Sequence, residues 1–75
     1  MIVTVYSKPD CAACVRTKDM LARKNIPFQE IDVMEDAAAL ELVKSLGYRQ
    51  MPVVVAGDTH WCGLRPDHII ALANG

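Results

Sequence analysis

Ile2-Val3-Thr4-Val5-Tyr6-Ser7-Lys8-Pro9-Asp10-Cys11-Ala12-Ala13-Cys14 sets a short β-branched run, a turn and a Cys-x-x-Cys in immediate succession. Residues 2–6 read as a buried strand. Pro9 forbids regular continuation, and Asp10 is a candidate helix cap. Residues 11–24 then read as a helix, ended by Asn25 and Ile26-Pro27, with Cys14, Val15, Lys18, Leu21 and Ala22 on one face. A strand, a turn and two cysteines opening a helix is what a dithiol–disulfide catalyst needs. Cys11 falls at the positive end of the helix, where a thiolate is favoured. Cys14 lies one turn on, close enough to close a disulfide.

Outward from this stretch, Phe28-Gln29-Glu30-Ile31-Asp32-Val33 alternates apolar and polar residues, as a strand covered on one face does. Residues 35–46 form a second helix, with Ala39, Leu42, Val43 and Leu46 on one face and Gly47 as its stop. Pro52 opens the apolar run Val53-Val54-Val55-Ala56. Gly57-Asp58 is a tight turn, and Thr59-His60-Trp61-Cys62 returns as an antiparallel partner. Pro66 suits the first turn of a last helix filled by Ile69, Ile70, Leu72 and Ala73, with Asp67 near its positive end. The order is β-α-β-α-β-β-α. The first two strands, joined by a helix, are expected to be parallel, and the last two form a hairpin. The expected fold is α/β, a four-stranded mixed sheet with three helices, the minimal thioredoxin layout. Its Cys-x-x-Cys falls at the C-terminal end of the first strand, where open α/β sheets place their sites.

Composition narrows the function. The 75 residues suffice for one small domain, 1–75, and 52% hydrophobic content allows a core without staples. Eight basic against nine acidic residues give a net charge of −1, which argues against a nucleic-acid binder. No apolar run approaches a membrane span, and no secretory leader is expected. Three cysteines is an odd number for a secreted disulfide framework. A reducing, cytoplasmic setting fits better, where Cys-x-x-Cys reads as redox or metal chemistry.

Cys11 is therefore the expected nucleophile: its thiolate attacks a substrate disulfide, and Cys14 then attacks Cys11 to release the reduced substrate. Met51-Pro52 opens a strand facing the site. A cis bond there would turn the Met51 backbone toward the dithiol, and only X-Pro bonds adopt cis at low cost. Trp61-Cys62-Gly63-Leu64-Arg65-Pro66-Asp67 links the last strand to the last helix. Trp61 is expected in a partly exposed patch, and an Arg65–Asp67 ion pair at the surface is worth little. Cys62 reads as a small, buried, inert thiol, with a third redox or metal-binding thiol as the alternative. Cys11, Cys14, His60 and Cys62 include zinc ligand types, but they lie on separate elements, and no metal is expected. Glu30 and Asp32 are expected to point to solvent; facing inward beneath the dithiol, either would accept a proton from Cys14.

With these residues in place, the chain resembles the glutaredoxin-like NrdH redoxins over nearly its whole length. The matching pieces are Tyr6-Ser7-Lys8-Pro9-Asp10-Cys11-Ala12-Ala13-Cys14, Gly47-Tyr48-Arg49-Gln50-Met51-Pro52-Val53-Val54, Gly57-Asp58 and residues 61–67. The last is similar to that family's W-S-G-F-R-P-D signature, with Cys62 for serine and Leu64 for phenylalanine. Ala12-Ala13 stands where the family carries Val-Gln. The resemblance implies a thioredoxin fold and reduction by thioredoxin reductase with NADPH, not by glutathione. It also implies a class Ib ribonucleotide reductase as client. Lys8, Met51, Pro52, Trp61, Arg65 and Asp67 are then the residues expected to meet substrate or partner. Glutaredoxins carry Gly-Gly and acidic residues where this chain has Cys62-Gly63 and Arg65-Pro66; those groups receive the γ-glutamyl end of glutathione. Arg65 would repel its ammonium, and Trp61 and Cys62 would add bulk. A monomer is expected, with no cofactor beyond a Cys11–Cys14 disulfide. The alternatives are a glutathione-dependent glutaredoxin and, from another class, an iron–sulfur or metal carrier.

Overall fold

The computed structural model describes residues 2–74. Its elements follow the expected order: β1 Val3–Ser7, α1 Ala12–Arg23, β2 Gln29–Asp32, α2 Ala37–Ser45, β3 Val53–Ala56, β4 Thr59–Cys62 and α3 Pro66–Asn74. The strands form one sheet in the order β2-β1-β3-β4. β1 pairs parallel with β2, Tyr6 opposite Ile31. It pairs antiparallel with β3, Val5 opposite Val54. β3 and β4 form the hairpin, Val54 opposite Trp61. This is the thioredoxin fold.

The strand period of two divides the core between two faces. Val3, Val5, Val54, Ala56 and Trp61 pack with Leu21 of α1 and Ile69 of α3. Tyr6, Val33 and Val53 pack with Ala39 and Val43 of α2 on the other side. β1, central and buried at every position, therefore delivers its C-terminal end, and the turn after it, to the top of a rigid sheet.

Two helices end in the same way. Past α1, Asn25 takes φ +58°, its N–H donates to Ala22 O and that of Ile26 to Leu21 O, each at 3.0 Å. Past α2, Gly47 takes φ +92°, its N–H donates to Lys44 O at 2.9 Å and that of Tyr48 to Val43 O at 3.1 Å. Both are Schellman closures, and the left-handed residue is of a type that tolerates that conformation. Gly47 is thus the expected stop.

The buried face of α1 departs from expectation. Cys14, Thr17 and Leu21 are buried, and Val15 is 61% exposed. Hydrophobicity favours Val15, but the docking of Cys14 and Leu21 on the sheet puts the i+3 position, Thr17, between them. Thr17 Oγ1 has no hydrogen-bond partner there. On the other two helices Leu42 and Ile70, expected in the packed faces, are each 42% exposed.

Candidate active site

The β1–α1 turn builds the site. Asp10 is not the cap: it takes φ +56°, and Cys11, with φ −115° and ψ 102°, holds the N-cap position itself. Cys11 Sγ accepts a hydrogen bond from the Cys14 N–H at 3.1 Å. The sulfur thus does the work usually given to a side-chain oxygen, and negative charge on it faces the amide and the positive end of α1. Cys11 and Cys14 are joined by a disulfide, their Cα atoms 5.2 Å apart. Cys14 is 2% exposed, whereas Cys11 is partly open. An outside disulfide therefore meets Cys11, and Cys14 can act only from within, on Cys11. This asymmetry is the one thiol–disulfide exchange through a mixed disulfide requires.

The Met51–Pro52 peptide is cis, and Met51 O lies 3.6 Å from Cys11 Sγ. Pro52 itself is fully buried, so it shapes this corner from beneath, and of the pair only Met51 is partly exposed. Gly63, at φ +84°, donates its N–H to Pro52 O at 2.8 Å and ties the end of β4 to the same corner. Cys62, opposite Val53 in the ladder, is half-buried and reduced, with Sγ 3.5 Å from Gln50 O. It is less enclosed than expected. His60 Nδ1 is engaged at 2.7 Å by the Tyr48 hydroxyl. Among the described residues, no three His, Cys, Asp or Glu side chains converge as a metal set would.

Trp61 departs most from expectation. It is 3% exposed, packed in the core cluster and stacked on His68 with ring centroids 4.8 Å apart. The alternation of β4 sends His60 and Cys62 to one side and Trp61 to the other, against α1 and α3. The adjoining surface is made by Cys62, Gly63, Leu64, Arg65 and Asp67 instead. Arg65 Nε donates to Asp67 Oδ1 at 3.3 Å and Nη2 to Oδ2 at 3.1 Å, a two-pronged pair at the start of α3. Hydrogen bonding from Arg65 holds the Asp67 carboxyl below its ordinary pKa.

Below the dithiol opens a cleft of about 870 Å³ lined by Cys11, Cys14, Lys8, Lys18, Ser7 and Glu30 among others. Lys8 meets the opening here. Glu30, expected to point to solvent, is exposed, and its carboxylate lies along the wall of this cleft. Its Oε2 accepts from Lys18 Nζ and from Ser7 Oγ, each at 2.7 Å. Strand alternation marked it as polar, and nothing in the sequence alone pairs β2 with the Lys18 side of α1. Hydrogen bonds, from Lys18 first and then Ser7, hold the Glu30 pKa below 4.5. A carboxyl with a depressed folded-state pKa contributes stability above the unfolded value and loses it as pH falls through the folded one. Glu30→Gln is therefore expected to be less stable than the parent at about pH 7, by no more than about 1 kcal/mol for so exposed a pair. The gap should close as pH falls through the lowered folded-state pKa of Glu30, as compared by urea midpoints.

The comparisons with known proteins agree with this geometry. The glutaredoxin family model matches residues 3–61. The glutaredoxin-like protein NrdH of Escherichia coli K12 is 41% identical over 69 residues, 92% of this chain and 85% of its own length. That of Lactococcus lactis subsp. cremoris is 38% identical over 72 residues, covering 96% of this chain and all of the relative. A solved structure of the Escherichia coli NrdH-redoxin, described as having a thioredoxin-like activity profile, superposes with a TM-score of 0.93 at 40% identity over 96% of this chain and 95% of that one. No described helix is long and apolar enough to cross a membrane. With an open thiol capping a helix and a buried one behind it, the chain belongs to the glutaredoxin family, among its NrdH glutaredoxin-like redox proteins, and is a thiol–disulfide oxidoreductase that carries the Cys11–Cys14 pair.

Proposed function

We propose that this protein carries reducing equivalents from NADPH, by way of a thioredoxin reductase, to the disulfide of a class Ib ribonucleotide reductase, and that glutathione is a poor reductant for it. In the forward half-cycle the dithiol gives two electrons and two protons to the client disulfide and becomes the Cys11–Cys14 disulfide. The reductase returns both, drawing on NADPH. Kinship with the NrdH redoxins supports the client and the reductase. On the same reading the protein works in the cytoplasm as a monomer, with the cysteine pair as its redox group and Lys8, Met51, Arg65 and Asp67 at the surface that meets partners.

The observation that carries the discrimination against glutathione is the Arg65–Asp67 pair. A site for a γ-glutamyl ammonium needs a free carboxylate on this side of the dithiol. Asp67 is the acid of the β4–α3 segment, and both its oxygens are taken by a guanidinium. Pairing of Asp67 with Arg65, worth no more than about 1 kcal/mol at this exposed position, contributes to the preference. The test is NADPH oxidation with a disulfide substrate, comparing thioredoxin reductase with glutathione plus glutathione reductase. Turnover with thioredoxin reductase alone is expected, and comparable turnover with glutathione would overturn the reading. Arg65→Ala frees Asp67 and is expected to raise the glutathione-dependent rate roughly fivefold, about what 1 kcal/mol of exposed pairing delivers.

A further inference from the structure

The cysteine that must ionise to release the product is the less solvated of the two. Cys14 is 2% exposed, and burial opposes the charged form of a thiol. Lys18 follows Cys14 by four positions on α1, so the two side chains are neighbours on one helix face, and both line the cleft beneath the dithiol. The Lys18 side chain is only 29% exposed, and its ammonium is held by Glu30 at 2.7 Å. Ser7 Oγ, from the last residue of β1, bonds the same carboxylate oxygen and fixes where the acid sits. A cation and an anion are thus clamped together on the wall of the cavity that contains the resolving thiol.

The charged groups facing that cavity are Lys8 and Asp10 from the turn, Lys18 from α1, Glu30 and Asp32 from β2, and Glu35 beyond it. Four carboxylates stand against two lysines. Of these lysines, Lys18 shares the helix of Cys14. We propose that Lys18 and Glu30 are opposing positioning residues for the release step: Lys18 favours the Cys14 thiolate, and Glu30, by drawing on that cation, restrains it.

The step balances within the mixed disulfide. The Cys14 thiol gives its proton to solvent, and its sulfur attacks Cys11 Sγ. The Cys11–Cys14 bond forms as the bond from Cys11 to the substrate sulfur breaks. The departing substrate thiolate takes up a proton. At this stage Cys11 is uncharged, a condition that serine at position 11 reproduces.

The test therefore uses the Cys11→Ser, Cys62→Ser protein, in which Cys14 is the sole thiol, and follows thiolate absorbance against pH. Lys18→Met is expected to lower the thiolate fraction below the midpoint by about three- to tenfold, and Glu30→Gln to raise it by a similar factor. The double variant should match Lys18→Met to within about twofold, because Glu30 acts through the Lys18 cation and has none to draw on once it is gone. A purely structural tie between α1 and β2 predicts something else: both single variants loosen the same contact and move the titration in the same direction. Shifts of the same sign would overturn the proposal. So would a shift in one variant alone, or none beyond about twofold in either. Lys18→Gln serves in place of Lys18→Met should the latter not fold by circular dichroism.

Discussion

Cys11→Ser is expected to abolish disulfide reduction, a loss on the order of 10³-fold or more, while Cys14→Ser keeps the first half of the reaction and stops at the second. The difference follows from where the two sulfurs sit. Cys11 is the partly open one, at the N-cap of α1 and 3.6 Å from Met51 O, so it alone can meet a disulfide from outside. A serine hydroxyl in its place can accept the Cys14 N–H but is not a nucleophile at neutral pH. Cys14, enclosed behind it, has only Cys11 within reach. Without Cys14, the mixed disulfide between Cys11 and the substrate has no internal route to resolution and should accumulate. In a Cys62→Ser background, mass spectrometry of Cys14→Ser after mixing with a disulfide substrate should find one adduct per chain, on Cys11. An adduct on Cys14 in the Cys11→Ser protein at a comparable rate would reverse the assignment of roles.

The same stretch explains why so much was legible in the sequence. A β-branched run, a proline turn and a Cys-x-x-Cys each have a local cause, and the local causes agree with the fold. Gly47 is equally local, since the left-handed residue that closes α2 is easily supplied by glycine. The hidden features were those set by tertiary placement. Asp10 has a good capping side chain, but the turn delivers Cys11 to the N-cap position. Val15 is more apolar than Thr17, but the docking of Cys14 and Leu21 decides which turns inward. Glu30 and Lys18 are far apart in the chain, and only the parallel pairing of β1 with β2 beneath α1 makes them partners. The cis bond at Met51–Pro52 was readable because the Cys-x-x-Cys upstream supplied a reason for it, whereas a lone Met-Pro would not.

Trp61 gives the sharpest contrast between a binding residue and a core residue. Trp61→Ala is expected to remove a large share of the protein's stability, enough to unfold it if that stability lies at the low end of its range. Removing a buried tryptophan costs about 3–5 kcal/mol, and a domain of this size has only about 4–11 kcal/mol to lose. The cavity would open between β3, α1 and α3, where Trp61 packs with Val54, Leu21 and Ile69. Trp61→Phe tests the same site without emptying it. Phenylalanine keeps an aromatic face for His68, which stacks on the indole at an interplanar angle of 12°, and it removes the indole N–H, buried with no partner. An unsatisfied buried donor costs about 1–3 kcal/mol, which offsets much of the lost packing. The variant should stay within about 1 kcal/mol of the parent. Urea unfolding gives both values. Reductase and client assays on the folded Trp61→Phe protein then decide the role, with rates near the parent's expected. A stable Trp61→Ala protein that had lost only partner binding would mean that the indole is reached from outside, which its 3% exposure argues against.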